Sequence, residues 1–155
     1  MKKFFYIFIF ISISGCTAVN VEKVDKILDV EHVCIQENQK VIVGDFLGVV
    51  RDGFDRHGIS TEVFYDNKPE HCNFVLTYTA LQSWDFATYL AHAELRLEKN
   101  GKKVAYAEYH LRGKGGLSLM KWQGTKTKIN PVMDELLEEY KENKYVANTK
   151  MKADD

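Results

Sequence analysis

One dipeptide constrains the fold of this chain more than any other feature. Asn100-Gly101 stands between two long segments in which apolar and polar residues alternate. Asn-Gly accepts positive φ at both central positions of a type I′ turn, and alternation with a period of two is typical of strands. The sequence therefore predicts a β-hairpin. A two-residue turn would place Leu97 opposite Val104 on the core face and Glu98 opposite Lys103 outside.

The rest of the chain supplies further strands and two helices. Residues 30–35, 61–65 and 74–84 are rich in β-branched, aromatic and alternating apolar residues, which predicts three more strands. An apolar stripe over 40–57 predicts a helix that ends at Gly58, and Asn130-Pro131 predicts the start of a second helix. We therefore expect an α+β domain: a mostly antiparallel sheet of four to five strands, two helices on one face, and the order βαββββα.

The composition excludes two classes of protein. The 155 residues carry 21 Lys+Arg against 22 Asp+Glu, a formal net charge of -1, and 45% of them are hydrophobic. A nucleic-acid-binding protein needs an excess of basic residues, and a disordered chain needs fewer apolar ones. One globular domain remains.

The N-terminus has the composition of an export signal. Met1-Lys2-Lys3 precedes an apolar run too short to span a bilayer, and Ile13-Ser14-Gly15-Cys16 resembles the bacterial lipoprotein signal, in which the cysteine receives the lipid. The alternative is an ordinary secretion signal or a marginal membrane anchor, with Cys16 incidental. We predict a signal peptide over 1–15, a lipidated tether over 16–27, a periplasmic domain over 28–146 and a disordered tail over 147–155. Thr17 follows the cysteine where aspartate is the usual retention mark, which in a two-membrane bacterium favours the outer membrane.

Two cysteines remain beyond the lipidation site. Cys34 and Cys72 form an even pair in a chain destined for an oxidising compartment, which favours a structural disulfide. A redox pair or a metal site is the alternative. It has less support, because there is no Cys-x-x-Cys and the five histidines do not cluster at ligand spacing. We therefore predict neither a metal nor a cofactor.

No motif in the sequence carries catalysis. Gly113-Lys114-Gly115-Gly116 lacks the spacing and the Lys-Ser/Thr ending of a phosphate-binding loop, and Ser118 lacks the glycine that completes a nucleophile elbow. His92 and His110 fall on opposite faces in the proposed hairpin register. Glu108 with His110 is the one acid–base pair to inspect, which leaves a hydrolase as a remote alternative.

The connection over 112–127 is longer than the two to six residues that such connections usually need. Its apolar and basic residues suit a partner protein, a lipid headgroup or a glycan, which makes Lys114, Leu119, Lys121 and Trp122 candidate partner-binding residues. The alternative is that the last strand continues through Leu119 and that Trp122 packs into the domain.

Four segments of the chain form a recognisable set: Cys34-Ile35-Gln36-Glu37-Asn38, Tyr78-Thr79-Ala80-Leu81-Gln82-Ser83-Trp84-Asp85, Lys121-Trp122 and Lys128-Ile129-Asn130-Pro131-Val132. Together they resemble a family of small uncharacterised lipoproteins of gammaproteobacteria. The resemblance implies an outer-membrane lipoprotein with paired internal cysteines and no known activity. We expect a non-enzymatic, lipid-anchored periplasmic domain that binds an envelope partner. The alternative is a carrier or chaperone for lipid or glycan.

Overall fold

The computed structural model describes residues 17–112 and 119–140. The predicted α+β class is confirmed. Its elements are β1 (Thr17–Glu22), β2 (His32–Gln36), α1 (Phe46–Arg56), β3 (Ser60–Phe64), β4 (Phe74–Asp85), β5 (Ala87–Lys99), β6 (Lys102–Leu111) and α2 (Thr125–Leu136). The predicted signal peptide over 1–15, Cys16, Lys114 and the predicted tail over 147–155 lie outside the described residues.

The sheet has six strands in the order β1-β6-β5-β4-β2-β3, one more than the largest number expected. The pairs β1/β6, β4/β5 and β5/β6 are antiparallel, whereas β2 runs parallel to both β3 and β4. The parallel pairing of β2 and β3 follows from their connection through α1, because a strand that returns through a helix lies parallel to the strand it left. The sheet is therefore mixed rather than mostly antiparallel on its β2 side.

The first strand was not predicted. Thr17–Glu22 pairs with β6 along its whole length, from Thr17 opposite Leu111 to Glu22 opposite Tyr106. The predicted tether over 16–27 is therefore wrong for these six residues. The strand is largely exposed, so its sequence shows little apolar alternation, and its partner lies more than 80 residues away along the chain.

The hairpin around Asn100-Gly101 is confirmed, with φ of 51° and 76° at these residues. Glu98 pairs with Lys103 as predicted, but a β-bulge follows, and Leu97 pairs with Ala105 instead of Val104. A bulge places one extra residue in a strand and shifts every later pair. The shift brings His92 directly opposite His110, so the prediction that these histidines occupy opposite faces is wrong.

Both helices differ from prediction at their N-termini. α1 begins at Phe46 rather than near residue 40, because Asp45 adopts a left-handed conformation with φ of 58°. α2 begins at Thr125, so Pro131 lies inside the helix and not at its first turn. Burial of Ile129 before the proline explains the early start, since packing overrides local propensity.

One hydrophobic core lies between the sheet and both helices. On β4 every second residue from Phe74 to Ala80 is buried, while Thr79 and Leu81 on the opposite face are exposed. The core also includes α1 and α2, which confirms that both helices cover one face. We call the other face the outer face. A small second cluster lies on it at the β2–β3 side, formed by Cys34, Phe64, Cys72 and Val75.

Candidate interaction site at the β4–β5 turn

Two exposed aromatic residues mark the turn between β4 and β5. Trp84 is 73% exposed and Phe86 is 90% exposed. Phe86 also has a positive φ of 60°, a conformation that is rare and costly for a bulky residue. Costly backbone conformations are concentrated at functional sites. The turn is therefore a candidate site.

A second segment adds exposed apolar surface beside this turn. Leu119 and Met120 open a short 3-10 helix, Leu119–Trp122, and are 78% and 63% exposed. The ring of Trp122 makes an edge contact with Phe86, with 6.5 Å between centroids. We call Trp84, Phe86, Leu119 and Met120 together the apolar tip. Of these four residues, only Leu119 is among the candidate partner-binding residues predicted from the sequence.

Lys121 and Trp122 hold the base of the tip together. The Lys121 Nζ lies 2.6 Å from Asp85 Oδ2, and Trp122 Nε1 donates a hydrogen bond of 2.9 Å to the Asp85 carbonyl. The Lys121 ammonium also lies 4.6 Å from the Trp122 ring centroid, within the range of a cation–π contact. Lys121 is 5% exposed. Of the four candidate partner-binding residues, these two therefore pack into the domain, Leu119 is exposed, and Lys114 lies outside the described residues.

The other basic side chains near the tip also make contacts inside the protein. Lys128 is buried, and its Nζ donates to the Leu90 carbonyl at 3.0 Å and to the Lys121 carbonyl. Burial lowers the pKa of the Lys128 ammonium. Lys126 forms an exposed ion pair of 3.1 Å with Asp52. The expected basic surface is therefore largely absent among the described residues of this segment, and the exposed part of the site is apolar.

The tip lies at the end of the sheet where β1 begins. Thr17 pairs with Leu111 at the end of β6, and the next rung joins Ala18, His110 and His92. β5 extends from His92 back to Ala87, beyond the start of β1. Thr17 and the apolar tip therefore share one end of the sheet.

The proposed acid–base pair lies on the outer face, away from this tip. Glu108 and His110 occupy alternate positions of β6. The close contacts centre on His92 of the neighbouring strand β5. Its Nε2 lies 3.0 Å from Glu94, its Nδ1 lies 3.9 Å from Glu108, and its ring centroid is 5.5 Å from that of His110. His92 therefore lies between two carboxylates on the outer face of the sheet.

A polar crevice lies at the carboxyl ends of β2 and β3, which run in the same direction as β4 but stop short of the tip. The residues that follow β2 and β3 enclose about 460 Å³, and the lining includes Gln36, Glu37, Asn38, Tyr65 and Tyr78. The Asn38 amide donates to the Tyr78 carbonyl at 2.9 Å, which holds the β2 loop against β4. Carboxyl ends of parallel strands are a common place for ligands in α/β sheets.

The predicted disulfide is present. Cys34 on β2 and Cys72, just before β4, are bonded with a Cα–Cα distance of 5.8 Å. Both are buried against Phe64 and Val75, which agrees with a structural role. Within residues 17–112 and 119–140, no helix is long and apolar enough to cross a membrane.

Comparison with known proteins identifies the fold and no family. No family model and no curated protein matches the sequence. The PelC dodecamer from Paraburkholderia phytofirmans matches with 13% identity and a TM-score of 0.54, over 77% of this chain and 98% of that chain. A substituted PelC dodecamer from the same organism matches with 13% identity and a TM-score of 0.50, over 76% and 97%. A minor lipoprotein from Acinetobacter baumannii gives 10% identity and a TM-score of 0.38, over 75% and 96%. At 13% identity the PelC match shows a shared fold alone.

Proposed function

We propose that this chain is a non-enzymatic lipoprotein of the bacterial envelope, seated on its membrane by acyl chains on Cys16 and by the apolar tip. In this proposal it binds a partner protein through surface that faces away from the lipid, such as the edge strand β3. One observation carries the proposal: the strand that begins at Thr17 starts at the end of the sheet that bears the apolar tip.

The dimensions of the sheet allow the anchor and the tip to reach one surface together. Five residues separate His92 from Ala87 on β5, roughly 16 Å at the usual strand rise. Three strand spacings separate β1 from β4, about 14 Å. The line from Thr17 to the tip therefore makes an angle of about 45° with the strands. If the domain tilts by that angle, Thr17 and the tip both reach the membrane surface.

The chemistry of the tip suits the boundary between headgroups and acyl chains. Trp84 is an aromatic residue of the type enriched at membrane interfaces, and Phe86 supplies a fully apolar ring. Asp85 between them is neutralised by Lys121, so the turn carries no unpaired carboxylate toward the lipid. A lipid anchor with a second point of attachment also holds more firmly than one acyl chain.

Tryptophan fluorescence tests directly whether the apolar tip contacts the membrane. The chain has 2 tryptophans, so Trp122→Phe leaves Trp84 as the sole emitter and Trp84→Phe leaves the half-buried Trp122. Both variants are reconstituted as full-length lipoprotein in liposomes whose lipids carry bromine at known acyl positions. We expect strong quenching of Trp84 and weak quenching of Trp122. Equal, weak quenching of both would overturn the proposed orientation.

Crosslinking in intact cells tests the partner. The full-length protein is compared with Cys16→Ser, which we expect to leave the membrane fraction. A specific envelope protein captured from the anchored form alone supports an accessory role at the membrane. Identical capture from both forms would show that anchoring is irrelevant to the partner. Trp122→Ala further tests whether the segment around the tip contributes.

The polar crevice favours one second candidate function. Its amide and tyrosine side chains offer hydrogen bonds and ring faces, which suit a glycan better than an acyl chain. A carrier of glycan would bind there and not between the sheet and the helices. Oligosaccharide titration followed by NMR should then perturb Asn38 and Tyr78, and Asn38→Ala should abolish the shifts. Perturbation elsewhere, or none, would remove this candidate.

A further inference from the structure

Two histidines and a carboxylate meet on the outer face beside the disulfide. Glu62 Oε2 lies 3.1 Å from His71 Nε2 and 3.8 Å from His32 Nε2. The two imidazole centroids are 6.1 Å apart. No sequence pattern indicates this cluster, because His32 and His71 are 39 positions apart and no regular spacing relates them to Glu62.

The fold explains how these residues meet. In the parallel pairing of β2 and β3, His32 lies opposite Ser60 and Cys34 lies opposite Glu62, so these alternate residues share the outer face. The bond between Cys34 and Cys72 then fixes the loop that carries His71 above the same strands. The disulfide sulfurs of Cys34 and Cys72, a carboxylate oxygen of Glu62 and a ring nitrogen of His71 all lie within 4.8 Å of one another. The disulfide therefore acts as the frame of the cluster.

A chain of hydrogen bonds determines which ring nitrogen carries the proton when the His32 imidazole is neutral. The Ser60 hydroxyl donates its one proton to the Glu31 carbonyl at 3.0 Å, so it accepts from His32 Nδ1 at 2.7 Å. Nδ1 then carries the ring proton of the neutral imidazole, and Nε2 presents a lone pair toward Glu62. In the part of the chain that the structure describes, Nε2 is buried without a hydrogen-bond partner.

This arrangement places a lone pair opposite a carboxylate. Two acceptors that face each other repel, and a cation between them removes the repulsion. A histidine whose other nitrogen donates to an oxygen is also the usual form of a metal ligand, because that hydrogen bond sets both the tautomer and the ring orientation. Ser60 therefore has the position of a residue that orients a ligand.

We propose that His32 Nε2, Glu62 and His71 Nε2 bind a divalent transition-metal ion, with Zn²⁺ as the reference probe, while the disulfide remains intact. Two imidazoles and a carboxylate form a known catalytic-type zinc set, in which water takes the remaining position. With Zn–N bonds of about 2.0–2.1 Å, two imidazoles on one tetrahedral ion have centroids roughly 5 Å apart. The observed 6.1 Å therefore has to shorten by about 1 Å. His71 lies in a loop with its side chain 61% exposed, so its ring has room to make that movement.

Binding is measured on the full-length protein in detergent, with the disulfide intact, by calorimetric titration with Zn²⁺ and by Cu²⁺ electron paramagnetic resonance. We expect one ion per chain and nitrogen hyperfine coupling from two imidazoles. His32→Ala, His71→Ala and the near-isosteric Glu62→Gln should each weaken binding at least tenfold. His92→Ala is the matched control, because its ring also faces a second histidine and a glutamate on the outer face. It should bind as wild type does.

Three results would overturn the proposal. The first is unchanged affinity in both His71→Ala and Glu62→Gln, and the second is loss of binding in the His92→Ala control. The third is binding that arises only after a dithiol reductant opens the disulfide. If Co²⁺ bound in that state shows sulfur-to-metal charge-transfer absorption, the ligands are the cysteine thiolates. Ser60→Ala adds an independent readout: binding weaker by roughly 10- to 100-fold, with both nitrogens retained in the copper spectrum, identifies Ser60 as a positioning residue.

Discussion

Removal of the disulfide should lower the free energy of unfolding by about 4 kcal/mol. Cys34 and Cys72 are 38 positions apart. A crosslink of that span reduces the entropy of the unfolded chain by an amount that corresponds to about 4 kcal/mol at 25 °C in the chain-entropy model. A single domain of this size has a total stability of about 5–15 kcal/mol, so the loss is a large fraction of it.

The perturbation is the double variant Cys34→Ala/Cys72→Ala, measured by urea unfolding of the domain. We expect the unfolding free energy to fall by about 4 kcal/mol and the melting temperature to fall by on the order of 10–20 °C. Reduction of the wild-type disulfide is the control, since it removes the crosslink and keeps both sulfur atoms in the second cluster. The unfolding free energy lost on reduction should agree with that lost in the double variant within about 1 kcal/mol.

A loss below about 1 kcal/mol in both experiments would refute the chain-entropy reasoning, because it would mean that the unfolded chain keeps this loop closed without the bond. A large loss in the double variant with a small loss on reduction would instead attribute the stability to packing in the second cluster. The two measurements together therefore separate the crosslink from the contacts of its sulfur atoms.

Three further predictions concern the packing of the domain. An added methyl at Gly53 meets Met133 Cγ at 2.8 Å, where α1 packs against α2. At Gly48 the added methyl meets only the exposed Asp45 carboxylate. Gly53→Ala should therefore be less stable than Gly48→Ala by about 1–3 kcal/mol, and equal stabilities in urea unfolding would contradict close helix packing. Burial raises the pKa of the Tyr109 hydroxyl above its value in the unfolded chain. The stabilising contribution of Tyr109 is therefore complete below about pH 10 and is lost as pH rises through the folded pKa. Tyr109→Phe should reduce the fall of the unfolding free energy at alkaline pH, and an unchanged fall would contradict this. Gly101 has φ of 76°, so Gly101→Ala should cost about 1–2 kcal/mol in a chemical denaturation series, and a neutral result would mean that the turn relaxes.

The sequence predicts local features of this fold well and long-range features poorly. Asn100-Gly101 encodes its turn within two residues, and the disulfide follows from the cysteine count. The bulge beside Leu97 has no local sign, yet it reverses the predicted relation of His92 and His110. α2 includes Pro131 because burial of its apolar residues outweighs a local preference. Each error arises where a tertiary contact overrides a local signal.

The candidate sites show the same difference between local features, which the sequence predicts, and long-range contacts, which it does not. Leu119 was identified from an apolar and basic segment, but the ion pair that turns Lys121 inward depends on Asp85, 36 positions earlier. Trp84 and Phe86 are residue types that fit a core as well as a surface, and only the structure shows that both are exposed. The metal-binding proposal depends on a parallel strand pairing and a disulfide-bonded loop, neither of which leaves a spacing pattern in the sequence.

The strand that begins at Thr17 has a mechanical consequence. If Cys16 carries the lipid, a pull on the domain away from the membrane acts along β1 from its first residue. The six residue pairs between β1 and β6 then bear the load simultaneously, in shear, instead of opening one after another. Forced unfolding is governed by the unfolding barrier, which is higher when several hydrogen bonds must break together. The domain is thus coupled to its anchor as a stiff element, and a force exerted by a bound partner would be transmitted to the bilayer with little slack.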